Sequence, residues 1–281
     1  MKPPREGLFD HAVLNLHYGV DEGEALLASL GFTVSPRGYH TLGSIHHTVA
    51  LGSSYLEIVG LDPANPKPRK ELLDSPLGLD GLVWSSDDIQ AAHARLVAAG
   101  LPASEPGTFG RPVSVDGHEV EARFEVTRLA PGWFAPARLY FCDHLTPELV
   151  WQEGFSNHPN TADRILAVHV AAEDPAAEAA RLATFLGVPA PGDGRIESGG
   201  VPILFETPET VAERLGEPFS PEARVPRVAG LTLGVRSLDA LETSLAPRWA
   251  GAALRREADA VTVPAAACFG VTLAFREGAG G

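Results

Sequence analysis

Four segments of the chain share one outline, and any fold must accommodate all four. They are FDHAVLNLHYGVDEGEALLASLGF from Phe9, LDGLVWSSDDIQAAHARLVAAGL from Leu79, ILAVHVAAEDPAAEAARLATFLGV from Ile165 and VAGLTLGVRSLDALETSLAPRWAG from Val228. Each opens with a short apolar strand. An acidic residue follows in a turn (Asp21, Asp88, Asp174, Asp239), then an Ala/Leu-rich helix, then a glycine (Gly31, Gly100, Gly187, Gly251). An Asp at a helix start accepts hydrogen bonds from free backbone N–H groups and favours the positive end of the helix dipole. Glycine just past the end permits a left-handed cap. Strand-like runs come next: HHTVALG and SYLEIVGL in the first unit, VEARFEVTRL, ARLYFCDHL and PELVWQ in the second, VPILFET in the third, AVTVPA and CFGVTLAFR in the fourth. The unit reads as roughly βαβββ.

A repeat of about 65 to 85 residues is longer than the roughly 20–50-residue periods of the common solenoids. One unit is too small for a sound core, so neighbouring units are expected to pair. Pairing gives two domains, residues 1–157 and 158–281, joined at NHPNTADR, residues 157–164, where Asn, Pro and Thr form loops.

The formal net charge of -14 argues against nucleic acid or an anionic membrane as partner, since both reward basic surfaces. The start, MKPPREGLFDH, lacks the apolar core of a signal peptide, and no apolar run reaches the ~20 residues that span a bilayer. The only cysteines, Cys142 and Cys268, make no disulfide framework. The expectation is a cytoplasmic protein whose partners are a small-molecule substrate and at most a second copy of itself in a homodimer. No GxGxxG or Walker A loop is present, so no nucleotide cofactor is expected.

Alternation gives the strands their faces. In residues 11 to 17, His11, Val13, Asn15 and His17 share one side, and Ala12, Leu14 and Leu16 the other. The apolar side suits packing under a helix; the mixed side suits a lined cavity. Tyr55, Glu57 and Val59 oppose Leu56 and Ile58, and Glu148, Val150 and Gln152 oppose Leu149 and Trp151. An ionised carboxylate buried among apolar residues without a partner costs several kcal/mol. Glu57 and Glu148 therefore each call for a cation, a metal, strong donors or a proton. His47, alternating with Val49 and Leu51, is expected to point inward, and His46 outward. Trp84 and Phe141 read as core residues that also suit a cavity wall. With Asn15 and His47 they are the candidate substrate contacts.

Four βαβββ units in two pairs resemble the vicinal oxygen chelate superfamily. FDHAVLNL, GYHTLGSIHHTVALGSSYLEIVGLDP and HLTPELVWQEGFSNHP are most similar to its glyoxalase-like-domain members. The resemblance implies an α+β fold of four βαβββ modules, paired into two cups. A divalent metal would be held by the first and fourth strands of each module. The implied ligands are His11 and Glu57 from the first module and Glu148 from the second. The remaining first-strand position falls on Gly81, expected to face the cup and to leave room for substrate or for His144. Glu57 and His144 are implied for acid–base work, with His144 at the rim. His169 lies two residues beyond the ligand position near Ala167, and the fourth module begins Gly230-Leu231 and ends in apolar VTLAF. The second cup is therefore expected to carry no metal.

Three functions fit. The first is a metal-dependent lyase, isomerase or dioxygenase acting on a small oxygenated substrate, with Zn, Ni, Mn or Fe(II) as the metal. If His144 joined His11 and one glutamate, the set would be the two-histidine, one-carboxylate triad of Fe(II) oxygen chemistry. The second is a metal-free, drug-sequestering binding protein of the bleomycin-resistance type, with an apolar cup. The third is a metal-free acid–base enzyme using His11 and Glu57.

Overall fold

The computed structural model describes residues 7–115, 117–218, 223–249 and 254–278; Gly251 lies outside them. Module one runs β1 (Phe9–Asn15), α1 (Val20–Ser29), β2 (Gly38–Tyr39), β3 (Ser44–Leu51) and β4 (Ser54–Leu61). A short helix, α2 (Lys70–Asp74), leads into module two: β5 (Gly78–Ser85), α3 (Ile89–Ala98), β6 (Gly107–Val115), β7 (His118–Arg128) and β8 (Arg138–His144). Module three is β9 (Ala162–Ala171), α4 (Pro175–Leu186), β10 (Arg195–Ser198) and β11 (Val201–Glu206). After α5 (Pro208–Leu215), module four is β12 (Arg227–Val235), α6 (Leu238–Ser244), β13 (Arg255–Arg256), β14 (Ala260–Val263) and β15 (Thr272–Glu277). Module three thus keeps two strands after its helix where the others keep three.

Modules one and two share an eight-stranded sheet in the order β2-β3-β4-β1-β5-β8-β7-β6. The strand β1 runs parallel to β4 and antiparallel to β5, which runs parallel to β8. The sheet's two ends approach each other: Thr41 N donates to the Gly110 carbonyl at 3.0 Å. The sheet therefore curls into a cup. Modules three and four repeat the plan in a seven-stranded sheet, β10-β11-β9-β12-β15-β14-β13.

The helix punctuation is partly as the sequence implies. Asp88 and Asp174 are N-caps, accepting from Ala91 N at 2.9 Å and Ala177 N at 3.0 Å. Asp21 and Asp239 instead sit in the first helical turn. Asp21 pairs with Arg37, and Ser237 caps α6. Gly187 closes α4 at φ 72°, the left-handed region that favours glycine.

Alternation sorts the strand residues into two cores. Ala12, Leu14, Leu56, Ile58, Leu82, Trp84 and Phe141 face the helices, and Val13, Val59, Val83, Val126 and Cys142 face the cup. The helix-side core is continuous across both sheets. Leu27 of α1, Leu96 of α3, Phe185 of α4 and Leu241 of α6 all belong to it. Trp84 donates to Ser198 Oγ at 2.5 Å, and Phe141 stacks on Phe185 at 4.6 Å. The 157–164 linker is also pinned. The imidazole of His158 bridges Thr33 N (3.1 Å) and the Ala50 carbonyl (2.6 Å), and Asn160 donates to the Leu30 carbonyl at 2.9 Å. No helix among the described residues is long and apolar enough to cross a membrane.

Candidate active site

The first cup is walled by the inward sides of β1, β3, β4, β6, β7 and β8. His11 and Val13 come from β1, Tyr55, Glu57 and Val59 from β4, and Phe109 and Arg111 from β6. Phe124 and Arg128 come from β7, and Arg138, Tyr140 and Cys142 from β8. The strand β3 contributes His46 and Thr48, because its antiparallel register sets them opposite Val59 and Glu57. His40, just beyond β2, stacks on His46 at 4.0 Å.

Imidazoles and one carboxylate converge here. Nitrogens of His40 and His46 and an oxygen of Glu57 all lie within 4.8 Å of one another. His11 Nε2 is 3.8 Å from Glu57 Oε2, and His40 Nε2 is 3.8 Å from Glu57 Oε1. Behind this cluster, Asp10 Oδ1 accepts from His11 Nδ1 at 2.6 Å and from His144 Nε2 at 2.9 Å. Asp10 thereby fixes the ring of His11 and leaves its Nε2 turned toward Glu57, with the Tyr55 hydroxyl 3.5 Å away. A carboxylate behind a histidine in this way orients the ring and raises its basicity as a ligand.

The protonation states suit metal binding. Burial, with Arg111 nearby, lowers His40 to about 3, and burial holds His46 well below its ordinary value, so both are neutral at physiological pH. Burial raises the Glu57 carboxyl, with His11 and Arg111 opposing it. His46 Nδ1 is buried with no hydrogen-bond partner among the described residues. Neutral imidazoles, a carboxylate and an unsatisfied ring nitrogen fit the divalent metal that the fold implies. A second group, Asp10, His11 and His144, has its donors turned on one another through Asp10.

Several expected site residues lie elsewhere. Glu148 is exposed. Pro147 opens a 3-10 turn, Pro147–Leu149, in place of the expected strand. The fourth strand of module two is β8, and there Tyr140 pairs with Val83 as Glu57 pairs with Val13. Tyr140 thus takes the place assigned to Glu148. His46 and His47 are reversed: His46 faces the cup, and His47 faces outward to the Ser35 carbonyl (2.8 Å) and Glu24 (3.4 Å). Trp84 and Phe141 fill the inter-sheet core, on the opposite side of their strands from the cup. Asn15 does not line the cup. It donates to the Leu72 carbonyl at 2.9 Å and anchors the segment after α2. Gly81 stands opposite Val13, but a Cβ there would lie 2.8 Å from Val13 Cβ, so Val13 already fills the space. His144 is buried behind Asp10, to which it is hydrogen-bonded, and its ring meets Tyr55 and Phe124 edge-on. His40 and His46 are the residues not anticipated.

Four guanidinium groups line the same cup, those of Arg69, Arg111, Arg128 and Arg138. Arg69 holds Glu71 at 2.7 Å, and Arg138 holds Asp80 at 2.7 Å and Glu71 at 3.1 Å. Burial raises the Glu71 carboxyl, but Arg69 and Arg138 outweigh it and bring the group down to about 2. A lowered folded value means stability that is present above the ordinary carboxylate range and lost as pH falls toward 2. With screening discounted, Glu71→Gln is expected to remove about 1–2 kcal/mol at pH 7 and to flatten stability between pH 5 and 2. Chemical denaturation across that range measures both.

The second cup differs in chemistry. His169 Nε2 lies 2.8 Å from Thr232 Oγ1, and Arg214 grips Glu206. Among the described residues, no trio of metal-ligating groups comparable to those of the first cup gathers there.

Comparison with solved structures finds the same architecture. A hypothetical protein from Staphylococcus aureus aligns over 96% of this chain and 98% of its own, at 11% identity and a TM-score of 0.62. A mutant 4-hydroxymandelate synthase from Streptomyces coelicolor aligns over 100% and 95%, at 16% identity and 0.54. A xylose isomerase-like TIM barrel/4-hydroxyphenylpyruvate dioxygenase fusion protein aligns over 100% of this chain and 51% of its own, at 15% identity and 0.54. At such identities these matches speak to fold alone. No curated protein matches the sequence. The family model described as a glyoxalase-like domain matches residues 9–186, which include both modules of the first cup, its imidazole–carboxylate cluster and the first helix of module three. On that match, which covers more than half of the chain, the chain belongs to the glyoxalase-like-domain family.

Proposed function

We propose that the first cup is the metal centre of an enzyme acting on a small oxygenated substrate, in the lyase, isomerase or dioxygenase range of chemistry. The convergence of His40, His46 and Glu57 donors within 4.8 Å, beside His11 Nε2, carries this reading. His11, His40, His46 and Glu57 would hold the ion. Mixed nitrogen and oxygen donors suit Zn, Ni, Mn or Fe(II). When bound, such an ion supplies Lewis acidity toward paired oxygens of a substrate.

The chain's own groups have separate tasks. Asp10, braced by His144, holds the His11 ring in place. Glu57, its proton affinity raised by burial, is the cup's carboxyl suited to hold or move a proton at a substrate carbon when it is not engaged as a ligand. Tyr140, its hydroxyl pushed well above the usual phenol range chiefly by burial, stays a neutral hydroxyl donor on the opposite wall. Phe109, Phe124 and Val150 exclude water from the rest of the cup.

The test is binding by the chelator-treated chain. One divalent ion per chain, with a rise in Tm on adding Mn, Ni, Zn or Fe(II), is the expected result, since a ligand that prefers the folded state stabilises it. No uptake of any of the four would leave the cup as a metal-free binding or acid–base site.

A further inference from the structure

We propose that the first cup binds a small organic oxyanion, a carboxylate or a phosphate ester, whose negative group lies against Arg111 and Arg128. The proposal rests on reading the cup as the substrate site, but not on the metal. Arg69 and Arg138 are spent on Glu71 and Asp80. The guanidinium of Arg111 has no ion-pair or hydrogen-bond partner among the described residues, though it lies on the cup wall. Arg128 is held by aromatic faces instead, its guanidinium 5.5 Å from the Tyr140 ring centre and 5.9 Å from that of Phe109. Arg138 adds a further donor, since its Nη2 is buried without an acceptor.

A largely buried cation without a bonded counter-charge is costly, so a fold that keeps two of them, with Glu57 and Glu71 acting on them only at a distance, is expected to gain an anion there. Glu57 is the one carboxylate on the wall, it acts on Arg111 only at a distance, and a single carboxylate cannot balance both guanidinium groups. A divalent ion would add positive charge and deepen the need. The chain as a whole carries a formal -14, so the cup is a basic recess in an acidic protein. Low-dielectric walls focus such a field on an incoming anion. A guanidinium fork matches the planar oxygens of a carboxylate or phosphate, and both guanidinium groups line the same cup. The aromatic contacts of Arg128 also fix its plane before the ligand arrives, which lowers the cost of ordering it.

The test is calorimetric titration of the full chain with inorganic phosphate, succinate and uncharged succinamide, once after chelator treatment and once loaded with a divalent metal. Phosphate or succinate should bind the chelator-treated chain, and succinamide should not. The tighter of the two anions identifies the natural group as phosphoryl or carboxylate. Arg111→Gln and Arg128→Gln should each weaken binding at least tenfold, Arg111→Lys should retain part of it, and Arg181→Gln on the far surface should change nothing. Without anion, the two Gln variants should melt no lower than the parent, because each removes an unpaired buried charge. A guanidinium with a purely structural role would lower Tm. The proposal is overturned if folded Gln variants bind anions as tightly as the parent, if succinamide binds equally well, or if neither anion binds. Anion binding that needs the metal and ignores both arginines would overturn it while leaving the metal reading intact. Arginine-dependent binding in a chain that takes up no metal would leave it standing and sink the metal reading.

Discussion

His46→Ala is expected to lower divalent-metal affinity by about 100-fold or more, beyond the 10–100-fold typical of losing an outer-shell partner. Glu57→Ala should do the same, because its oxygen meets the ring nitrogens of His40 and His46, and so should His11→Ala, whose Nε2 faces Glu57. Asp10→Asn should fall in the smaller range, since Asp10 only orients His11. His47→Ala and Glu148→Ala are the controls. Both residues lie outside the cup, and both variants should bind metal as the parent does. Competition titration against a chelating dye ranks the set. Equal affinity for His46→Ala and the parent would remove β3 from the site.

Trp84→Ala is expected to destabilise the fold by about 3–5 kcal/mol while leaving metal affinity unchanged. Trp84 is fully buried between the sheets. It meets Phe9 edge-on at 5.5 Å and Phe185 at 5.7 Å, and its indole N–H bonds Ser198. Truncation leaves a cavity and orphans the Ser198 contact in one step. Phe141→Ala, which removes the stack on Phe185, should follow at similar size. Denaturant unfolding gives the energies, and metal titration of the folded variants gives the comparison. A lowered metal affinity with little loss of stability would return these aromatics to the cup wall.

Much of the cup was legible because period-two alternation is a strong constraint once one residue of a strand is anchored. β1 and β4 followed it: Ala12, Leu14, Leu56 and Ile58 took the helix side, and His11 and Glu57 the cup side. The same rule, carried through, would have corrected the aromatics. If Gly81 faces the cup, Trp84, three residues on, faces the other way. The reversal of His46 and His47 has an equally local cure. LGSS reads as a two-residue hairpin loop at Gly52–Ser53. Such a loop pairs Leu51 with Ser54, hence Thr48 with Glu57 and His46 with Val59. The phase of β3 is then set by the phase of β4.

Other residues were beyond reach. His40 sits outside any strand, and its bonds to Ser44 and its stack on His46 bring it to the cluster. The alternation in PELVW is real in sequence but is wound into a 3-10 turn behind Pro147, so Glu148 never meets a sheet. The pairing of Arg138 with Asp80, which leaves Arg111 and Arg128 as the guanidinium groups without a bonded carboxylate, depends on strand register that no local pattern encodes.

The central claim is that one divalent ion sits among the imidazoles and the carboxylate of the first cup. Anomalous diffraction at the absorption edge of the bound metal tests it most directly. The account predicts one peak per chain, at coordination distances of about 2.0–2.2 Å from ring nitrogens of His40 and His46 and a Glu57 oxygen, with His11 Nε2 turned toward it. A peak at the Asp10–His11–His144 group, a peak in the second cup, or no peak from metal-saturated crystals would contradict it.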